Sequence, residues 1–230
     1  MLKLEGCLIR NGAFRLEADM EVARGRRVAV IGPSGGGKTT LLEAIAGFVD
    51  LEAGRLSWDG ADMGGLAPGA RPVAMLFQEG NLFPHLTAAQ NVGLGLRASL
   101  RLRMDERGAV RAALARVGLE GYEARKPGDM SGGQRARVAL ARVLVQRRAL
   151  LLLDEPFAAL GPALKAEMLD MVVDLAGETG ATVLMVSHAP EDARRIADEV
   201  VLVAGGRAHP PVKTQALFDD PPEALRDYLG

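Results

Sequence analysis

Gly32-Pro33-Ser34-Gly35-Gly36-Gly37-Lys38-Thr39 spells G-x-x-x-x-G-K-[ST], a spacing suited to holding a nucleoside phosphate. The glycines let backbone N–H groups converge on phosphate oxygens, and a helix starting at Lys38 adds its partial positive charge. Lys38 then reaches the β- and γ-phosphates, the Thr39 hydroxyl can ligate Mg²⁺, and Thr40 follows in the same turn. A turn that only joined strand to helix would need neither the lysine nor the threonine. Asp154-Glu155 closes the apolar run Leu150-Leu151-Leu152-Leu153. There Asp154 would reach the metal, and Glu155 would sit beside an attacking water as general base. Taken alone, two acids at a strand end also fit a solvated terminus. Met130-Ser131-Gly132-Gly133-Gln134 opens a helix bearing Arg135 and Arg137. A serine hydroxyl, glycine amides and a helix N-terminus make a second phosphate-binding surface; a linker with an ordinary N-cap is the plainer alternative.

These residues need a frame. Val28 to Ile31, Leu150 to Leu153 and Thr182 to Val186 are nearly continuous apolar runs, as in parallel strands covered on both faces. Helical patterns follow them over Lys38 to Ala46, Pro162 to Leu175 and Pro190 to Ala197. Strand and helix in repeated alternation predict a mostly parallel α/β core. A second parallel strand beside the phosphate loop, ending in Asp154, is expected to bring that carboxylate within reach of the metal. At the amino terminus, Leu2 to Ile9 and Ala13 to Val22 flank Asn11-Gly12, a hairpin signal, and Leu56 to Trp58 extends the same antiparallel edge. From Pro84 to Gln146 the pattern is almost entirely helical, with capping-box spacing at Thr87/Gln90 and Ser131/Gln134. This stretch is expected to form a helical subdomain, residues 84–146, inserted into a core of residues 1–83 and 147–230.

Composition excludes several classes. The chain has 230 residues, 48% hydrophobic and 25% charged, the size and balance of one folded domain. With 28 basic and 29 acidic residues its net charge is -1, which gives no global case for nucleic acid. A single cysteine, Cys7, can form neither an internal disulfide nor a zinc cluster, which fits a reducing cytosol. No apolar run approaches the ~20 residues of a membrane-spanning helix, and Glu5 interrupts any signal-like segment at the start. A membrane role is therefore expected to come through a partner.

The ordered set of phosphate loop, Gln78 after a strand, Ser-Gly-Gly-Gln, Asp-Glu after four leucines, and His188 resembles the ATP-binding subunits of ABC transporters. The likeness covers nearly the whole chain. It implies a P-loop, RecA-like core with the antiparallel edge and helical insertion described above, and hydrolysis of ATP with Mg²⁺. It implies that Gln78 touches the metal and the attacking water and senses the membrane partner, and that His188 contacts the γ-phosphate. Thr39, Gln78 and Asp154 would serve the metal. Ser131, Gly132, Gly133 and Gln134 would close on ATP held by a second copy, in a head-to-tail homodimer. Two positions depart from the pattern. Of the aromatic expected to stack on adenine, the hairpin offers only Phe14, off the usual place; and Ala158-Ala159-Leu160-Gly161 ends in glycine where the family has aspartate.

A narrower resemblance surrounds the glutamine. Met75-Leu76-Phe77-Gln78-Glu79-Gly80-Asn81-Leu82-Phe83-Pro84-His85-Leu86-Thr87, then Gln90-Asn91-Val92-Gly93-Leu94-Gly95-Leu96, is similar to the ATP-binding subunits of bacterial thiamine importers, as is the short tail. This implies permease partners, indirectly a periplasmic binding protein, and a peripheral place on the cytoplasmic face of the inner membrane. Importers of iron, polyamine, sulfate or molybdate share Leu-Phe-Pro-His-Leu-Thr and remain the alternatives, with a non-transport ABC ATPase behind them.

Overall fold

Leu150 and Leu152 face one buried cluster, while Leu151 and Leu153 face another. A strand covered on both sides has no polar alternation, which explains the unbroken leucine run. The computed structural model describes residues 1–78, 80–223 and 225–226. In chain order its elements are β1 (Leu2–Asn11), β2 (Phe14–Val22), β3 (Arg27–Ile31), α1 (Lys38–Ala46), β4 (Leu51–Trp58), β5 (Ala61–Asp62) and β6 (Val73–Leu76). Then come α2 (Ala88–Gly93), α3 (Met104–Arg116), α4 (Gly132–Leu144), β7 (Leu150–Asp154), α5 (Pro162–Thr179) and β8 (Thr182–Val186). The chain continues through α6 (Pro190–Ile196), β9 (Glu199–Ala204), β10 (Arg207–Ala208), β11 (Val212–Lys213) and α7 (Thr214–Asp219).

The strands run β5-β4-β1-β2-β10-β9-β3-β8-β7-β6, with β11 against β9. From β9 to β6 every pairing is parallel, whereas β5, β4, β1 and β2 pair antiparallel. β7 is not the neighbour of β3, because β8 lies between them. The hairpin shifts by one residue. Asn11 pairs with Phe14, so the two-residue loop is Gly12-Ala13, with Gly12 at φ 60°.

One face of the parallel strands packs on α1 and the amino-terminal strands, through Val28, Val30, Leu41, Leu42 and Ile45. The other packs on α4 and α5, through Val183, Met185, Val138, Leu140 and Leu169. A smaller cluster joins Ile31 and Leu202 to Leu217 and Phe218 of α7. Between Pro84 and Gln146 the helical content is lower than the pattern suggests: α2, α3 and α4 are separated by irregular stretches. Gly118 and Gly121 take left-handed φ values of 71° and 81°, and Pro127 opens a 3₁₀ turn, so the helix breaks where those residues cluster. Both capping boxes form. Thr87 and Ser131 accept the N–H groups of Gln90 and Gln134, whose side chains accept in return.

Candidate active site

The phosphate loop leaves the buried end of β3 and enters α1. Lys38 is buried, and its Nζ donates to the carbonyl oxygens of Gly32 and Pro33, both at 2.9 Å. Burial holds its pKa below the usual lysine value, against the opposing pull of Glu155 and Asp154. Two glycines are required by packing as well as by phosphate access. A Cβ on Gly32 would lie 2.0 Å from the Val203 carbonyl oxygen, at φ 145°; one on Gly37 would lie 2.6 Å from the Phe14 ring, at φ 99°.

β7 delivers Asp154 to the same edge of the sheet. Its Oδ1 accepts from Thr39 Oγ1 at 3.1 Å, which links the loop to a strand two positions away. Burial pushes the Asp154 carboxyl up from its ordinary pKa, the Thr39 hydrogen bond opposes this, and the charge of Glu155 adds to it. A buried carboxylate beside a hydroxyl suits a hard divalent cation, which takes oxygen ligands and keeps places for water and phosphate. Thr39 Oγ1 and Asp154 Oδ1 offer two such oxygens, and among the described residues no three His, Cys, Asp or Glu side chains gather as a metal cage. The residues present fit the ion in that open form.

Glu155 turns the chain away from the strand at φ 45°, and its N–H donates to Val186 O at 3.2 Å. A non-glycine residue there carries a strain of about 1–3 kcal/mol. His188 follows β8, and its Nε2 lies 2.5 Å from Glu155 Oε1. Ser34, Gly35, Gly37, Lys38, Thr39 and Thr40 line a cavity of about 210 Å³ together with Phe14, Glu155 and His188. Phe14 thus stands at the phosphate loop itself, although its place in the sequence departs from the family's pattern.

The other two groups of expected site residues lie apart from this cavity. Gln78 is exposed, in the turn after β6, and does not line it. The turn is nevertheless fixed to α4, because Arg142 donates to the carbonyls of Gly80 and Asn81 at 2.5 and 2.8 Å. Ser131 caps α4 and is exposed with Gly132, whereas Gly133 is buried: a Cβ there would meet Leu164 Cδ2 at 2.3 Å. The amides of Gly132 and Gly133 fall in the first helical turn, where no intrahelical acceptor exists. Gln134 is committed to the capping box and reaches the Tyr122 hydroxyl at 3.4 Å.

Two supporting residues escape a reading by motif. Asn91 is fully buried; its side chain accepts the Phe83 N–H and donates to the carbonyls of Phe83, Leu86 and Thr87, which fixes the loop before α2. Its signal was a polar residue on the buried side of a short helix. Arg71, also buried, donates to the last carbonyls of α1, those of Ala44 and Ile45, at 2.7 and 2.9 Å.

The family description "ABC transporter" matches residues 16–158, which is more than half of the chain. The chain belongs to the ABC transporter family. It has the fold of an ATP-binding cassette and belongs with the ATP-hydrolysing members. Over its full length it is 62% identical to the thiamine import ATP-binding protein ThiQ of Ruegeria sp. (strain TM1040) and 60% identical to that of Cereibacter sphaeroides, covering both relatives entirely. The Escherichia coli (strain K12) protein of the same name is 50% identical over 90% of this chain and 89% of its own length. Among solved structures, a dimeric ATP-binding cassette, MJ0796, bound to ADP and Pi matches with a TM-score of 0.80 and 28% identity. That match covers 93% of this chain and 99% of the other. Among the described residues no helix is long and apolar enough to cross a membrane.

Proposed function

We propose that this chain is the ATP-binding subunit of a bacterial thiamine importer, working as a head-to-tail homodimer on the cytoplasmic face of the inner membrane. The observation that carries the reading is the joining of Thr39, Asp154, Glu155 and His188 at the phosphate loop, in a chain at least 60% identical end to end to thiamine import ATP-binding proteins.

Lys38 and the amides of the loop hold the β- and γ-phosphates. Mg²⁺, when bound, neutralises phosphate charge, with Thr39, Asp154 and Gln78 as its protein-side partners. Glu155 orients a water and takes its proton as the water oxygen bonds to the γ-phosphorus and the bond to the ADP oxygen breaks. His188, in contact with Glu155, steadies the γ-phosphate. Ser131, Gly132, Gly133 and Gln134 close on the ATP of the second copy, presenting a capped helix N-terminus to phosphate. Residues 84–146 act as the inserted helical subdomain that carries this surface. Phe83 is 48% exposed and Phe48 55%, close to the Gln78 turn; they mark the face that receives a short permease helix.

Deleting the gene in a host unable to make thiamine should raise the external thiamine needed for growth, and a plasmid copy should restore it. Unchanged growth at limiting thiamine, in a host with no second importer, would reject thiamine as cargo. Parallel growth assays on iron, polyamine, sulfate and molybdate would then identify the replacement.

A further inference from the structure

Asp192 lies in the first turn of α6 and is buried, a costly place for a carboxylate unless it is paired and hydrogen-bonded. Both conditions are met. Its Oδ2 lies 2.6 Å from Lys165 Nζ and accepts from the Ser187 hydroxyl. The same Ser187 Oγ accepts the N–H of Ala189 at 3.1 Å. His188 is the residue between, so the backbone on both of its sides is tied to one hydroxyl, and that hydroxyl to Asp192. The helix does not need this arrangement. Glu191, exposed next to Asp192, already supplies a negative charge to the first turn of α6.

Lys165 brings in a second loop. It is in the first turn of α5, and its N–H donates to Gly161 O at 2.9 Å. The segment from Glu155 to Gly161 joins β7 to that turn. Lys165 and Asp192 therefore bridge the loop that begins at Glu155 and the loop that holds His188. Glu155, Lys165, Ser187, His188 and Asp192 all line a cavity of about 280 Å³. Two links thus cross between the loops: Glu155 to His188 on one side, Lys165 to Asp192 on the other.

We propose that Lys165, Asp192 and Ser187 form a positioning relay that holds His188 against Glu155 and makes the histidine follow the first turn of α5. The three side chains act through His188 and do not touch the phosphates. The proposal rests on the reading of Glu155 and His188 as the hydrolytic pair. Movement of the loop ending at Gly161 would then be transmitted to the γ-phosphate contact by a lysine and a buried carboxylate.

The test measures ATP hydrolysis by the full-length chain carrying Lys165→Met, Lys165→Arg, Ser187→Ala or His188→Ala, and by the double variant Lys165→Met/His188→Ala. Misplacement of a reacting group by about an ångström predicts a kcat loss of roughly 10- to 100-fold for Lys165→Met and Ser187→Ala. KM for ATP should stay within about twofold, because the loop that binds phosphate is not touched. Lys165→Arg should retain at least about half of the rate, since it restores the ion pair with Asp192. In the His188→Ala background Lys165→Met should cost no more than about twofold further, because its effect passes through the missing imidazole. Thermal melts assign any loss of folded protein separately, and Ser187→Ala, which deletes one oxygen, carries the test if Lys165→Met does not fold. A merely structural ion pair would lower the melting temperature and leave kcat per folded molecule unchanged, which overturns the relay. So would equal losses from Lys165→Met in the two backgrounds. A His188→Ala chain with wild-type kcat would overturn the hydrolytic reading together with the relay. A depressed His188→Ala with an unaffected Lys165→Met would overturn the relay alone.

Discussion

Glu155 occupies a left-handed backbone position with its side chain on His188, so backbone strain and the proposed base fall on one residue. Such a conformation persists only where the neighbours enforce it, here through the N–H bond to Val186 O. Replacing Glu155 by Gln keeps size, backbone and the contact with His188, and removes the base. ATP hydrolysis should fall roughly 10²–10⁴-fold while ATP still binds, and dimers should last longer in ATP. Steady-state turnover and nucleotide binding, measured on one preparation, check this; near-normal turnover would take the base role from Glu155. Arg71 tests a purely structural residue by the same logic. It satisfies the Ala44 and Ile45 carbonyls at the C-terminus of α1, where a cation is also favoured by the helix dipole. Arg71→Met leaves the Ile45 carbonyl without its donor and the Ala44 carbonyl with only the Gly47 N–H, and should lower unfolding free energy by about 1–3 kcal/mol. A denaturant midpoint that does not move would show that the carbonyls find water instead.

At the scale of elements, the loop from Gly80 to Thr87 is held at both ends and exposed in the middle. Arg142 of α4 grips Gly80 and Asn81, Asn91 of α2 grips Phe83, Leu86 and Thr87, and the Phe83 ring stands out beside His85. A rigid loop that offers an aromatic side chain suits an apolar helix-in-groove contact. Phe83→Ala should therefore weaken permease association at least about tenfold, the scale of a central aromatic anchor, with little change in ATP affinity. Equal loss of both would make Phe83 part of the core. What could be read from sequence divides along the same line of scale. The phosphate loop, Asp154-Glu155 and both capping boxes lie within a few residues of chain, so spacing alone specified them. The order β3-β8-β7 was not readable, because it depends on how α5 crosses over the sheet. Arg71 was missed for a related reason. The acceptors of Arg71 on α1 are 26 and 27 residues away, and nothing local sets a buried arginine apart from a surface one. Phe14 looked misplaced by alignment of the pattern, yet the hairpin's register, Asn11 opposite Phe14, brings it to Gly37.

For the whole molecule the question is how two nucleotide sites would act together, and Gly161 is where this chain differs from the family's pattern. A carboxylate at that turn would approach the opposite subunit's phosphate loop in a head-to-tail dimer. The geometry removes the main objection to restoring it. Gly161 is the N-cap of α5 at φ −64° and ψ 157°, an extended conformation open to any residue, and a Cβ there would meet nothing within 4 Å. At present no side chain caps this helix. Gly161→Asp would accept from the first-turn N–H groups and should add a few tenths of a kcal/mol to the stability of one chain. Its effect across the dimer is a separate quantity. If the carboxylate also engages the second copy, ATP-dependent dimerisation should tighten about 2- to 10-fold, and the Hill coefficient for ATP should rise. Gly161→Asn separates the two effects, because it caps the helix almost as well and carries no charge. Tighter dimers with Asp but not with Asn would assign the gain to the carboxylate across the interface. Equal behaviour of Asp and Asn, with a raised melting temperature and unchanged Hill coefficients, would confine the substitution to α5. The two sites would then be coupled by other contacts.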